Sequence, residues 1–179
     1  DGMELGYYWL LDGVFIGVDV NSPTFTYSPT RLDEHGKHEL VCLVSDGYWT
    51  NDVSVIWQIN TCHDIYVDAQ VSVSGNGLSW ATAMKSLQAA CGYAVDGDHV
   101  IVADGVYSPI SIADKAIVIS SVHGAGRTAI DGGHVDRCAR LSTSYAGTNT
   151  VLEGFSLING YQGGTYYVYG GGSWGGTLN

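Results

Sequence analysis

The chain has 179 residues, enough for one large domain or for two small ones with a core each. Asp and Glu number 18 against 7 Lys and Arg, a net charge of −11, and such a field repels a phosphate backbone, which excludes nucleic acid as a partner. Charged residues are only 14% of the chain, glycines number 25, and the apolar content comes largely from Val, Ile, Leu and Tyr, a composition of short strands and tight turns that excludes a disordered chain.

No stretch approaches the roughly 20 apolar residues of a membrane span, so no helical span is expected. Asp1 to Leu10 lacks the layout of a signal peptide, so any export signal is expected to have been removed.

Short apolar runs alternate with turns from Tyr7 to Ile59. Tyr7-Tyr8-Trp9-Leu10-Leu11 runs into the turn Asp12-Gly13, Val14-Phe15-Ile16 follows, and Phe25-Thr26-Tyr27 comes after Pro23; these predict strands and hairpins. From Lys37 to Val44 polar and apolar residues alternate before Ser45-Asp46-Gly47, the pattern of a half-buried strand that ends in a turn. Val53, Val55, Trp57 and Ile59 share one face of a further strand, which is expected to close a sandwich. With these pieces in view, YYWLLDG, FTYSPT, GKHELVCLVSDG and VIWQI resemble the Ig-like domains of the polycystic-kidney-disease (PKD-like) type over residues 5 to 60. That resemblance implies a spacer or adhesion module of surface proteins and secreted enzymes, with no catalytic residue carried over.

The pattern changes after Asn60, and a boundary near Cys62 divides the chain into residues 1–61 and 62–179. Ile65 to Asp68 reads as a short strand and Ser72 to Gly77 as a loop. Trp80, Ala83, Met84, Leu87, Ala90, Cys91 and Ala94 then recur at the spacing of one helix face, with Ser79 as the N-cap. A helix placed before a run of parallel-type strands would cover the first open coil of a solenoid.

Brief strands recur from His99 onward: Val100 to Val102, Ile110 to Ile112, Ala116 to Ile119, Ala129-Ile130, Ala139 to Leu141, and Leu152 to Ile158. They lie about ten to fifteen residues apart, so two strands would make a coil of about twenty. The corners Asp104-Gly105, Gly124-Ala125-Gly126, Asp131-Gly132-Gly133 and Asn159-Gly160 supply the backbone freedom for bends between faces. GDHVIVADGVY, AIDGG, RCARL, LEGFSLING and GGGSWGGTLN resemble the right-handed parallel β-helix repeats of pectin-lyase-like proteins, in particular the polymorphic outer membrane protein type. The resemblance runs from about Ile65 to Asn179. It implies a bacterial cell-surface or secreted protein, commonly an adhesin and sometimes a polysaccharide-degrading enzyme.

The expected fold is therefore all-β: an N-terminal Ig-like β-sandwich, then a capping helix and a short right-handed parallel β-helix. Cys42, Cys62, Cys91 and Cys138 lack the close spacing of a zinc or redox site and read as disulfides or packed thiols; Cys91, on the helix face, could reach Cys138, and Cys42 would then pair with Cys62 or stay free. Asp131, Asp136, Arg137 and Arg140 are the candidates for a carboxylate and base cluster, although no second cluster stands opposite. No serine sits in a Gly-x-Ser-x-Gly elbow, and the Gly-rich tail lacks the lysine of a phosphate loop. No cofactor is announced; His35 with His38 is the closest to a metal pair, and Asp12, Asp19 and Asp46 are candidates for calcium at a loop end. Tyr161, Tyr166, Tyr167, Tyr169 and Trp174 crowd the tail among glycines as a candidate subunit contact or glycan platform.

Taken together these features favour a non-catalytic extracellular structural or adhesive protein, a subunit of a surface fibre, adhesin or matrix. Self-association, or continuation of the solenoid, is expected at the C-terminal end. The alternatives are a fragment of a secreted polysaccharide-active enzyme and a glycan-binding module.

Overall fold

The computed structural model of the chain describes residues 5–16, 22–28, 36–47, 53–113, 115–141, 149–161, 163 and 171–179, with the backbone alone at 174. The chain is all-β in class, with one short α-helix among the described residues. It divides after Thr61 into two compact units.

In the first unit β1 (Gly6–Leu11), β2 (Val14–Phe15), β3 (Gly36–Ser45) and β4 (Val53–Thr61) form one antiparallel sheet in the order β2-β1-β3-β4. Asp12 and Gly13 join β1 to β2 with φ of 51° and 79°, the two positive angles that a two-residue hairpin needs to match strand twist. The tip is tied to β3: Asp12 Oδ1 accepts from Glu39 N at 2.9 Å, and Asp12 Oδ2 lies 2.7 Å from His38 Nδ1. Trp9, Cys42 and Val55 stand side by side across three strands. Trp9 stacks on Trp57 and Phe25, with ring centroids 5.9 and 5.6 Å apart, and its Nε1 donates to Ser22 O at 3.0 Å.

One expectation for this unit changes. Phe25 to Tyr27, expected as a strand, forms none and contributes its Phe25 ring to Trp9 instead. Strand β4 is the last strand of this sheet among the described residues, and Val53, Val55 and Trp57 are exposed on it.

The second unit is built of parallel strands: β5 (Asp64–Val67), β6 (His99–Val102), β7 (Gly105–Tyr107), β8 (Ile110–Ser111), β9 (Val118–Ser121), β10 (Thr128–Asp131), β11 (Ala139–Arg140), β12 (Val151–Glu153), β13 (Ser156–Ile158), β14 (Ser173–Trp174) and β15 (Thr177–Leu178). They fall into three sheets, β15-β12-β9-β6-β5, β13-β10-β7 and β14-β11-β8, and from β6 the chain visits the three in the same order again and again. A coil thus has three strands rather than the expected two. Leu152 to Ile158 is not one strand but β12 and β13 in different sheets, since Gly154, at φ 73°, turns the corner between them.

Register places like over like. Ile65, Val100, Ile119, Leu152 and Leu178 form one column along the first sheet. Tyr107, Ile130 and Leu157 form a second column, and Ile110, Ala139 and Ser173 a third. Ile65, Val100, Ile119, Ile130, Ala139, Ile117, Cys138 and Leu141 are all buried in one continuous core.

The start of this unit is covered, though not as the spacing predicts. Trp80–Thr82 is a 3-10 turn whose preceding Ser79 makes no side-chain cap, and the α-helix α1 spans only Leu87–Tyr93, capped by Ser86 Oγ, which accepts from Ala89 N at 3.2 Å. The reason lies at Met84, whose backbone bonds on both sides of Val67 (Met84 N to Tyr66 O, Asp68 N to Met84 O, both 2.9 Å), so it serves as a strand partner to β5 and cannot be helical. Gln88 seals another edge: its amide donates to Ser111 O at 3.0 Å and accepts from Ser111 N at 2.7 Å, taking the place of a neighbouring strand beside β8. Lys115 Nζ donates to Cys91 O, Gly92 O and Ala94 O at 2.8, 2.7 and 2.7 Å, satisfying carbonyls at the helix C-terminus with a cation.

Close coil contact has a sharp test at one corner. A side chain on Gly160 would overlap Gly171 O, and one on Gly132 would begin 2.6 Å from Gly160 Cα, whereas Gly126 has open space around it. Gly160→Ala is expected to destabilise the second unit by about 1–3 kcal/mol and Gly126→Ala by less than about 0.5 kcal/mol. Urea unfolding followed by circular dichroism checks the pair, and equal effects would contradict the stacked corner.

Candidate functional site

The terminal aromatic cluster is placed only in part. Tyr161 is 52% exposed, with its backbone N–H on Asp136 O at 2.7 Å. The backbone of Trp174 pairs with Arg140 in the third sheet. Tyr166, Tyr167 and Tyr169 lie outside the described residues.

The carboxylates singled out beside them serve the turns. Asp131 Oδ1 accepts from Gly133 N at 2.8 Å and from Asn159 Nδ2 at 3.0 Å, which ties two successive corners together. Asp136 Oδ1 accepts from Arg137 N at 2.7 Å and lies 3.5 Å from Arg140 Nη2, while Arg137 itself is buried. Among the described residues no three His, Cys, Asp or Glu side chains gather as a metal site. Asp12 is engaged by His38 and Glu39; Asp19 and His35 lie outside the described residues.

The disulfide expectation is corrected. Among the described residues no bridge joins Cys42, Cys62, Cys91 or Cys138, and Cys42, Cys91 and Cys138 are buried thiols. Cys138 faces the next coil rather than the helix: its Sγ donates to Ile158 O at 3.1 Å and lies 3.0 Å from where a side chain on Gly160 would begin. Cys91 packs on the buried side of α1, and burial pushes its thiol up to about 12. Both behave as small apolar residues.

A groove of about 470 Å³ is formed by residues that no sequence motif links. Asp68, Gln70, Trp80, Ala103, Asp104, Val122 and His123 line it, all within the second unit. Four short segments supply these residues: the end of β5, the 3-10 turn, the corner after β6 and the corner after β9. The parallel register brings the corners together, since Val102 stands beside both Val67 and Ser121. Trp80, expected on a buried helix face, is 44% exposed and packs against Tyr66, with centroids 4.9 Å apart and ring planes at 64°. Asp104 sits between two partners, His123 Nδ1 at 2.7 Å and Arg127 Nη1 at 3.3 Å. The hydrogen bond from His123, and then that from Arg127, hold the Asp104 carboxyl below the usual carboxylate range. Asp68 Oδ1 accepts from Gln70 N at 2.8 Å. An aromatic face, two carboxylates, an amide and an imidazole around a groove suit ligand binding. One clue was legible: Asp104-Gly105 and His123-Gly124 are both corner pairs, about one coil apart.

No protein-family model matches the chain, and no curated protein or solved structure matches it significantly.

Two measurements follow from this chemistry. Because the folded state holds Asp104 ionised more readily than the unfolded chain does, its contribution is present above about pH 4 and is lost as pH falls through the lowered folded value. Asp12 and Asp131 are depressed in the same direction, by His38 and by the Gly133 N–H respectively, and add to the effect. Urea midpoints should drop between pH 5 and pH 2, to values on the order of those for a carboxylate-neutralised protein, and Asp104→Asn should flatten part of that slope; an unchanged slope would remove Asp104 from the linkage. In alkylation at pH 8, Cys62 should label in the folded protein while Cys42, Cys91 and Cys138 react only on unfolding, read by peptide mass. Recovery of a Cys91–Cys138 linked peptide would overturn the buried-thiol assignment.

Proposed function

We propose that the chain is part of an extracellular structural or adhesive protein, secreted or displayed on a bacterial surface, in which a PKD-like Ig-like domain precedes a right-handed parallel β-helix. The observation that carries this reading is the repeated passage through three all-parallel sheets with in-register inward columns. Parallel crossovers are right-handed in about 98% of cases, which supplies the hand.

Two further features support a structural role. The charged side chains of the corners brace the coils: Asp131 bonds Asn159 one coil on, Asp104 bonds Arg127 and His123, and Asp98, buried, accepts from His63 N and Val95 N, both at 2.8 Å. At the other end β13, β14 and β15 are the last strands of their sheets, each with one edge unpaired among the described residues. Strand addition there by further coils or by a second subunit is the physical route to a fibre or stalk.

Light scattering on the 179-residue chain, with intact mass measured alongside, tests the assembly. The expected result is a particle that grows with concentration and reverts to single chains when Leu178→Pro removes the donor on the outer edge of β15, since Thr177 N and Asn179 N already donate inward to Thr150 O and Leu152 O. A particle that stays a monomer at high concentration would overturn self-association, and release of reducing sugar from an acidic polysaccharide by the same chain would replace the structural reading with the enzymatic one.

A further inference from the structure

The groove beside Trp80 has the volume of a small-ligand site, about 470 Å³ within a usual range of roughly 300–1,000 Å³. Its walls are unequal in charge. Asp104 already faces a cation of the protein, the Arg127 guanidinium at 3.3 Å, and hydrogen-bonds the His123 ring at 2.7 Å. Asp68 takes a hydrogen bond from the neutral Gln70 backbone, and among the described residues no cationic side chain pairs with it. An unanswered carboxylate therefore lines the same groove as a half-open indole face, whose ring is steadied by Tyr66 and whose surroundings include Ala103 and Val122.

Both features favour the same ligand charge. An indole face attracts a cation through its quadrupole, and a carboxylate partly shielded from water does so by simple Coulomb attraction. An anion would meet both as repulsion, within a chain already at −11. A neutral sugar stacked on Trp80 would cover part of Asp68 without supplying a counter-charge, a desolvation that works against its own binding. An alkylated ammonium group satisfies the three conditions together: its methyl shell suits Trp80, Ala103 and Val122, its charge suits Asp68, and it is small enough for the space.

We propose that this groove binds a small organic cation of the quaternary or alkylated ammonium type, held between the Trp80 ring and the Asp68 carboxylate. The site is independent of the assembly reading, because none of its lining residues belongs to the last strands β13, β14 and β15. With one aromatic face and one carboxylate in an open groove, the affinity lies in the millimolar range.

Choline is the probe, and 3,3-dimethylbutan-1-ol, of the same shape without the charge, is its control. In a nitrogen-15 titration of the whole chain, choline is expected to shift the Trp80 indole N–H and the backbone amides of Gln70, Asp104 and His123 along saturating curves, and the alcohol to leave them near their starting positions. Asp68→Asn, which keeps an oxygen to accept from Gln70 N, should weaken choline binding about fivefold, and Trp80→Ala about tenfold. A thermal melt of each variant verifies its fold; if Trp80→Ala is unfolded, Trp80→Phe and Asp68→Asn decide. Equal binding of choline and the alcohol, an unchanged affinity in Asp68→Asn, stronger shifts of the same signals by a neutral disaccharide, or no saturable shift at all would each overturn the proposal.

Discussion

The second unit depends on one constraint: each inward side chain must sit on its counterpart one coil away. Parallel sheets are stable where both faces are protected, and three sheets that turn their inner faces toward one another protect each other on the inside. Val100, Ile119 and Leu152 illustrate the gain, since each buries its side chain almost completely between column neighbours on both sides, at about 1.5–3 kcal/mol apiece. The same columns set the register of the backbone ladder, because a slip of one residue would turn polar neighbours such as Ser120 inward. Length is then free to vary on the outside: far more residues separate Val118 from Val151 than His99 from Val118, yet all three stand in one row.

A stack of this kind has an unsatisfied beginning, and the residues before β6 answer it piece by piece. Met84 pairs with β5 through its backbone, Gln88 copies a strand beside β8 with one amide, and Leu87, Ala90 and Cys91 lay an apolar helix face against the core. A helix of only seven residues has little stability of its own. It is held by burial on one face, by the Ser86 cap at one end and by Lys115 at the other, and Lys115 comes from the following coil. Cap and coil therefore order one another.

How much of this is legible in the sequence follows the range of the interactions. The Asp12-Gly13 hairpin, the alternation along β3 and the brief strands around Val100, Ile110, Ala129 and Ala139 are local patterns and can be read directly. The helix is misread at its start, because Trp80, Ala83 and Met84 share helical spacing with Leu87 and Ala90 although Met84 is bound to a strand. Cys91 and Cys138 read as either a bridge or packed thiols, and which of the two holds depends on which way each sulfur faces; Gly160 closes the space over Cys138. The groove is illegible for a stronger reason. Asp68, Trp80, Asp104 and His123 become neighbours only when the coil length is known to the residue, and that length differs from coil to coil.

The two units solve the problem of burial to different degrees, and this bears on where chemistry resides. In the first, Cys42 is the one buried apolar side chain among the described residues, and Val14, Phe15, Val53, Ile56 and Trp57 remain exposed on the sheet. Its order rests on the hairpin tie at Asp12, the ladder between β1, β3 and β4, and the Phe25–Trp9–Trp57 stack. In the second, a continuous core runs from Ile65 to Leu152, and the corners rest on it. A ligand held by a single aromatic face and a carboxylate gains little from each contact, so it needs those groups already in place, since ordering them at the moment of binding would consume the interaction. Val67 and Val102, buried beneath Asp68 and Asp104, supply that rigidity, and Tyr107 adds to it by donating from its hydroxyl to Ala103 O at 2.9 Å while accepting from Ala69 N at 3.3 Å. The corners after β5 and β6 are thereby pinned to a core side chain, which makes the rim of the parallel unit, rather than the face of the antiparallel sheet, the place where a weak ligand can be recognised.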